Sequence, residues 1–180
     1  MDLKIIICGV GGQGVLYFAK NLYALAVSAG ANVLGSETHG MSQRGGSVVS
    51  HVKIGNYSSP MVQSGTADRL FSLKLEETYP HLTFLKRGGT LIVNASDDQA
   101  MRDEMIEALS VREVKIHRFD ALSRAMKLGS PASTNLILLS HAVKKGLLPF
   151  TVDDLKNAVE TVTAPARIEA SLHAIEAGLE

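Results

Sequence analysis

The sequence predicts a three-layer α/β domain with a mostly parallel sheet and a helical C-terminus. Three observations predict it. Short apolar runs alternate with stretches of helical periodicity along all 180 residues. The first run leads straight into Gly9-Val10-Gly11-Gly12-Gln13-Gly14, which satisfies G-x-G-x-x-G between a strand and a helix. The last third has helical spacing only. A chain of this length fits one domain, residues 1–180, and can bury roughly 70% of its unfolded surface without a disulfide or metal staple.

Residues 4–8 form an apolar run suited to a buried parallel strand. The glycine turn follows, then a helix over residues 15–29 with Leu16, Ala19, Leu22, Tyr23 and Ala26 at helical spacing, closed by Gly30. Residues 31–34 read as the second strand, so the first unit is β-turn-α-β, and the domain is Rossmann-like. Residues 35–46 hold four glycines and no helical period, and read as an irregular polar loop. Residues 47–54 alternate as a strand, with Val48, Ser50, Val52 and Ile54 on one face; no crossover helix precedes it, which allows an antiparallel placement.

Residues 69–73 read as a strand introduced by Asp68, and residues 75–85 as a helix that Pro80 should break or kink. A turn at Arg87-Gly88-Gly89 leads to the cleanest strand, residues 90–94. A helix over 97–109, a strand over 114–119 and a short helix over 121–128 complete the alternation. Gly129-Ser130-Pro131 breaks the chain. Residues 135–145 form an apolar helix ending in Lys144 and Lys145, favourable charges at that terminus. Thr151 and Asp154 have capping-box spacing for a helix to about residue 163, and Pro165 opens or kinks a final helix toward Gly178.

Eighteen basic residues balance eighteen acidic ones, so no general attraction to nucleic acid or to an anionic membrane is expected. No stretch approaches the ~18 apolar residues of a membrane span, and the N-terminus lacks a signal-peptide pattern. The expectation is a soluble, cytoplasmic protein. Cys8, the single cysteine, lies in an apolar run and reads as core. The six histidines form no H-x-x-x-H pair, and neither G-K-[ST] nor G-x-S-x-G occurs, so metal, ATPase and serine-hydrolase signatures are missing.

Two loops carry the candidate residues. In the first, Gly9 permits a tight strand exit, Gly11 lets backbone approach a bound group, and Gly14 lets the helix pack closely; with Gly12 and Gln13, these positions are an expected anion or interface loop. The same glycines also serve a plain strand-to-helix turn. In the second, Glu37, His39, Ser42, Gln43 and Arg44 crowd hydrogen-bonding groups between glycines, with Gly45 and Gly46 at its end. Arg44 can grip a carboxylate or phosphate, His39 can shuttle a proton, and Glu37 sits where a ribose-binding acid is expected or can pair with Arg44 or His39. Asn94, at a strand's C-terminal end, faces the edge where open α/β sheets place ligands.

The two loops together resemble the gamma module of the 2-oxoacid:ferredoxin oxidoreductases, in particular its indolepyruvate branch. The matching text is residues 9–14 and the run Ser36-Glu37-Thr38-His39-Gly40-Met41-Ser42-Gln43-Arg44-Gly45-Gly46-Ser47-Val48-Val49, continued by Ser50, His51 and Val52. Ser59-Pro60, Ala67-Asp68, residues 85–89 and Ile92-Val93-Asn94 also look familial, and the likeness spans the chain. The resemblance implies oxidative decarboxylation of an aryl 2-oxoacid to an acyl-CoA. Thiamine diphosphate, Mg and [4Fe-4S] clusters would belong to a large partner subunit, ferredoxin would accept the electrons through the complex, and coenzyme A would be the co-substrate. No cofactor is expected in this chain alone, and no catalytic residue; Glu37, His39, Ser42, Gln43 and Arg44 would support the active site or subunit interface. A homodimer of the isolated chain is compatible with this. The family's Leu-Glu-x-x-Glu-Ala pattern is departed from here, where Lys74 and Thr78 replace the first acid and the alanine. Two other classes stay open from the residues: a stand-alone nucleotide-binding reductase, and a non-catalytic ligand-binding or assembly module.

Overall fold

The computed structural model describes residues 1–39 and 45–180. Six strands form one sheet: β1 (Leu3–Val10), β2 (Val33–His39), β3 (Ser47–Ile54), β4 (Ala67–Ser72), β5 (Leu85–Asn94) and β6 (Lys115–Phe119), in the order β2-β3-β1-β4-β5-β6. β1, β4, β5 and β6 pair in parallel, whereas β3 lies antiparallel to both β1 and β2. The antiparallel placement allowed by the sequence is therefore the one adopted. Its location is new: β3 occupies the slot beside β1 that the β-turn-α-β unit would give to β2.

The two sides of the sheet are covered unequally. One side carries α1 (Val15–Ser28), α4 (Ala121–Lys127), α5 (Thr134–Lys144), α6 (Val152–Val162) and α7 (Ile168–Leu179). They pack on Ile5, Ile7, Val48, Val52, Phe71 and Ile92 through buried residues such as Phe18, Leu22, Leu138 and Ile175. The other side carries α2 (Leu75–Thr78), a 3-10 helix (Tyr79–Phe84) and α3 (Asp103–Val111) over Ile6, Cys8, Val49, Leu70, Leu91 and Val93. β1 is central, so its alternate residues feed both cores, which explains its unbroken apolar run. α5 is apolar nearly all round because it is buried against the helices beside it. α6 starts with the expected capping box: the Asp154 amide donates to Thr151 Oγ1 and the Thr151 amide donates to Asp154 Oδ2.

Three local expectations are corrected, and the break expected at Pro80 is found. Residues 35–39 belong to β2 and are not irregular; their partners Val52 to Val48 on β3 give them a ladder that no local periodicity announces. The predicted helix at 97–109 begins only at Asp103, because Ser96 and Gln99 close a turn (Gln99 amide to Ser96 O, 3.1 Å; Ser96 amide to Gln99 Oε1, 3.1 Å) and Arg102 is extended. The predicted helix at 75–85 changes to 3-10 geometry from Tyr79, beside Pro80. The predicted turn at 87–89 lies inside β5 as a bulge: the register passes from Ala67↔Leu85 to Arg69↔Thr90.

Candidate functional site

The glycine turn lies at the C-terminal edge of β1, and its side chains are spent on holding it. Gln13 Oε1 accepts from the Val10 amide at 2.9 Å, and Gln13 Nε2 donates to Leu73 O at 3.3 Å. Asn94 Nδ2 donates to the same carbonyl at 3.1 Å, while its Oδ1 accepts from the Leu122 amide at 3.1 Å. Asn135, from the start of α5, donates to Gln13 O at 3.2 Å and Gly14 O at 3.1 Å. Gly14 has φ +77° and sits against the Asn135 side chain, which a Cβ there would strike. Glycine at this position thus serves conformation and close packing together. Gln13 and Asn94, candidate ligand groups by sequence, act here as internal braces.

The second loop returns to the same edge. The Gly11 amide donates to Gly46 O at 2.9 Å, and Val10 stands opposite Ser47 at the end of the β1–β3 ladder. The structure therefore joins Gly11 to the residue 45–46 stem. Gly9 lies within β1, and Gly12 takes φ +95° in the turn. Glu37 is exposed on β2, paired with Ser50. Since β3 intervenes, Glu37 lies two strand spacings, about 10 Å, from β1. That displacement overturns its placement as a ribose-binding acid beside the turn. Burial first, and then the Glu37 charge, raise the Tyr23 phenol above its ordinary value. Ser42, Gln43, Arg44 and the His39 side chain, with the proposed Glu37 pairings, lie outside the described residues.

Residues 71–80, where the family pattern is broken, prove well ordered by polar contacts. Thr78 Oγ1 donates to Ser72 Oγ at 2.8 Å, both fully buried, and Ser72 Oγ donates to Lys74 O at 2.7 Å. The hydroxyl that replaces the family alanine is therefore satisfied, and Lys74 is exposed. Cys8 Sγ donates to Glu77 O at 3.3 Å, and burial pushes the thiol up to about 12, so it is a core group rather than a nucleophile. Ser47 Oγ donates to Glu77 Oε2 at 2.6 Å.

Two clefts flank the turn and share Gly12, Gly14 and Tyr17. One, of about 420 Å³, is mainly apolar, walled by Val10, Leu16 and Val48 with Lys20 at its side. The other, of about 300 Å³, presents the hydroxyls of Ser133, Thr163 and Ser171 and the Arg167 guanidinium. Tyr17 OH lies 2.5 Å from Thr163 Oγ1. The first suits an apolar or aromatic group; the second suits a polar, anionic one. Among the described residues there is no group of three or more His, Cys, Asp or Glu placed to hold a metal. No described helix is long and apolar enough to cross a membrane. His141 stacks on Phe119 (3.6 Å between centroids), and burial, then Lys145 and Arg124, lower its pKa to about 4, a packing role. The sequence reading missed Asn135, Tyr17, Glu77 and Arg167. Only Asn135 carried a signal, as a polar residue heading an apolar run.

Fold and edge together define a class: a Rossmann-like α/β domain whose glycine turn is locked internally and joined to the stem of a second loop. A family model described as "Pyruvate ferredoxin/flavodoxin oxidoreductase" matches residues 4–180. The chain belongs to this family. It is 30% identical to the indolepyruvate oxidoreductase subunit IorB of Archaeoglobus fulgidus, over 99% of this chain and 94% of that one. It is 32% identical to the Thermococcus kodakarensis subunit of that name, over 99% and 95%. Its fold is similar to the gamma subunit of a keto/oxoacid ferredoxin oxidoreductase from Geobacter sulfurreducens (TM-score 0.76, 22% identity, 98% of this chain and 96% of that one). Like these relatives, the chain is a subunit of an oxidoreductase complex.

Proposed function

We propose that residues 1–180 form the gamma-type small subunit of a cytoplasmic, ferredoxin-dependent enzyme that oxidatively decarboxylates indolepyruvate or another aryl 2-oxoacid to an acyl-CoA. The observation that carries this is the junction of the two loops at one sheet edge, through the Gly11 amide and Gly46 O. The names of the relatives at 30% and 32% identity support the aryl substrate. The chain itself performs no bond-breaking. Thiamine diphosphate, Mg and [4Fe-4S] clusters fit a large partner subunit, since a single buried cysteine cannot ligate a cubane cluster. Cleavage of the bond between the carboxylate and the carbonyl carbon releases CO2; the two electrons left behind pass to ferredoxin, and the acyl group forms a thioester with coenzyme A as its thiol gives up a proton.

In this reading, residues 37–46 contact the partner or close its active or coenzyme A site. Arg44 supplies a charged fork there, and the glycine turn provides the rigid base. The adjacent clefts offer room for groups the partner presents. The test is co-expression with the large subunit and measurement of 2-oxoacid-dependent viologen reduction with indolepyruvate, pyruvate and 2-oxoglutarate. Indolepyruvate should be the best substrate. Absence of any complex, or equal use of all three acids, refutes the assignment. Arg44→Ala should cut complex activity by about tenfold or more while leaving the melting temperature of the isolated chain nearly unchanged; full activity refutes the role of that loop.

A further inference from the structure

The stem at residues 45–47 is held from two directions. The Gly11 amide binds Gly46 O at 2.9 Å, and Ser47 Oγ donates to Glu77 Oε2 at 2.6 Å. The second contact has the length of a hydroxyl-to-carboxylate bond, roughly twice as strong as a neutral one. Glu77 is itself firmly placed. Its carbonyl accepts from Cys8 Sγ at 3.3 Å and from His81 Nδ1 at 2.8 Å, and its neighbour Thr78 is bonded to Ser72 on β4. The carboxylate therefore projects from a short helix fixed to both β1 and β4. Among the described residues, Ser47 Oγ is the donor to this carboxylate.

We infer that Glu77 is a positioning residue: through Ser47 it fixes the 45–47 stem against the glycine turn. It touches no reacting atom. This inference rests on the proposed function for its catalytic consequence, but the positioning itself is independent of that reading. Glu77 also gives the 71–80 stretch a role, since its carboxylate reaches the stem of the second loop.

The first test is amide hydrogen exchange on the full chain. Glu77→Ala and Ser47→Ala should each accelerate exchange at Gly46, Ser47 and Val48 by about tenfold, leaving α5 unchanged; this is the loss expected for a buried-end hydrogen bond. Glu77→Gln keeps an acceptor and should fall between wild type and Glu77→Ala. The second test uses the assembled complex. Glu77→Ala and Ser47→Ala should each lower kcat/KM for the 2-oxoacid about tenfold, and the double variant should lose no more than either alone. Ser47→Thr, which restores the hydroxyl, should recover most of the loss. A merely structural role for Glu77 predicts additive losses and a normal stem in Ser47→Ala. Unchanged stem exchange in Glu77→Ala, or additive losses in the double variant, overturns the inference. Should wild-type complex show no 2-oxoacid oxidation, the functional assignment falls, and the exchange measurements still decide the positioning.

Discussion

The two faces of the sheet are held by different physics. On the face under α1 and α4 to α7, large apolar side chains interlock; Phe18 and Phe71 meet with ring centroids 4.8 Å apart, and both are fully buried. On the face under α2, the 3-10 helix and α3, the cover is thinner and polar contacts fix its place. There Thr78 meets Ser72, Cys8 meets Glu77 O, and the Val62 amide donates to His51 Nδ1 at 3.2 Å. Burial area scales stability, whereas hydrogen bonds contribute little net energy but set position sharply. The thick face therefore supplies most of the stability, and the thin face supplies the placement of the stem beside the glycine turn.

The contrast breaks most readily in the cores. Leu22→Ala on the thick face should cost about 4 kcal/mol and Leu75→Ala on the thin face about 2 kcal/mol, within the spread for buried leucines. Denaturant unfolding measures both, and equal costs would erase the distinction. Next comes Asn135→Ala, which strips two donors from the glycine turn and the acceptor of the Leu136 amide, and should cost about 2–3 kcal/mol. A cost near zero would mean that the turn holds without its brace.

Smaller effects sharpen the picture. Thr78→Ala, which installs the family residue, should cost about 1 kcal/mol and leave the fold unchanged in circular dichroism. A larger loss with altered α2 would show that the thin face depends on that hydroxyl for more than one bond. A further effect is a pH slope from His141. Its folded pKa is lowered to about 4 from the ordinary 6.5, by burial first and then by Lys145 and Arg124. The unfolded imidazole takes its proton at the higher pH, so this contribution to stability is full above pH 6.5 and is lost as pH falls toward 4. His141→Phe, able to keep the stack on Phe119, should flatten that part of the stability profile; an unchanged slope would assign it to another group.

Much of the parallel half of the sheet was legible in the sequence because its signals are local. Residues 4–8 and 90–94 are apolar runs between turn residues, and Thr151 with Asp154 announces α6 by spacing alone. The misread parts depend on distant partners. Residues 35–39 become a strand only through β3, and the 96–99 turn that displaces the expected helix is held by Arg118 of β6, which donates to Ser96 O and Gln99 O. The site followed the same rule. The glycines were visible as a pattern, but Gln13 and Asn94 looked like ligand groups because their shared acceptor, Leu73 O, is a backbone atom that no side-chain pattern reveals. Glu37 kept its position along the chain and lost its neighbour, since β3 entered between β2 and β1.

The Asn135 brace also constrains the order in which the chain can mature. Its hydrogen bonds reach back 122 and 121 residues to Gln13 and Gly14, and Tyr17 OH meets Thr163 across 146. During synthesis the turn emerges well before its lock, which arrives only with α5 and α6. Until then the apolar stripe of α1 has no helical cover, and the nascent chain must carry it until the C-terminal helices are made. The glycine turn is thus finished only after the helices that follow it have been made.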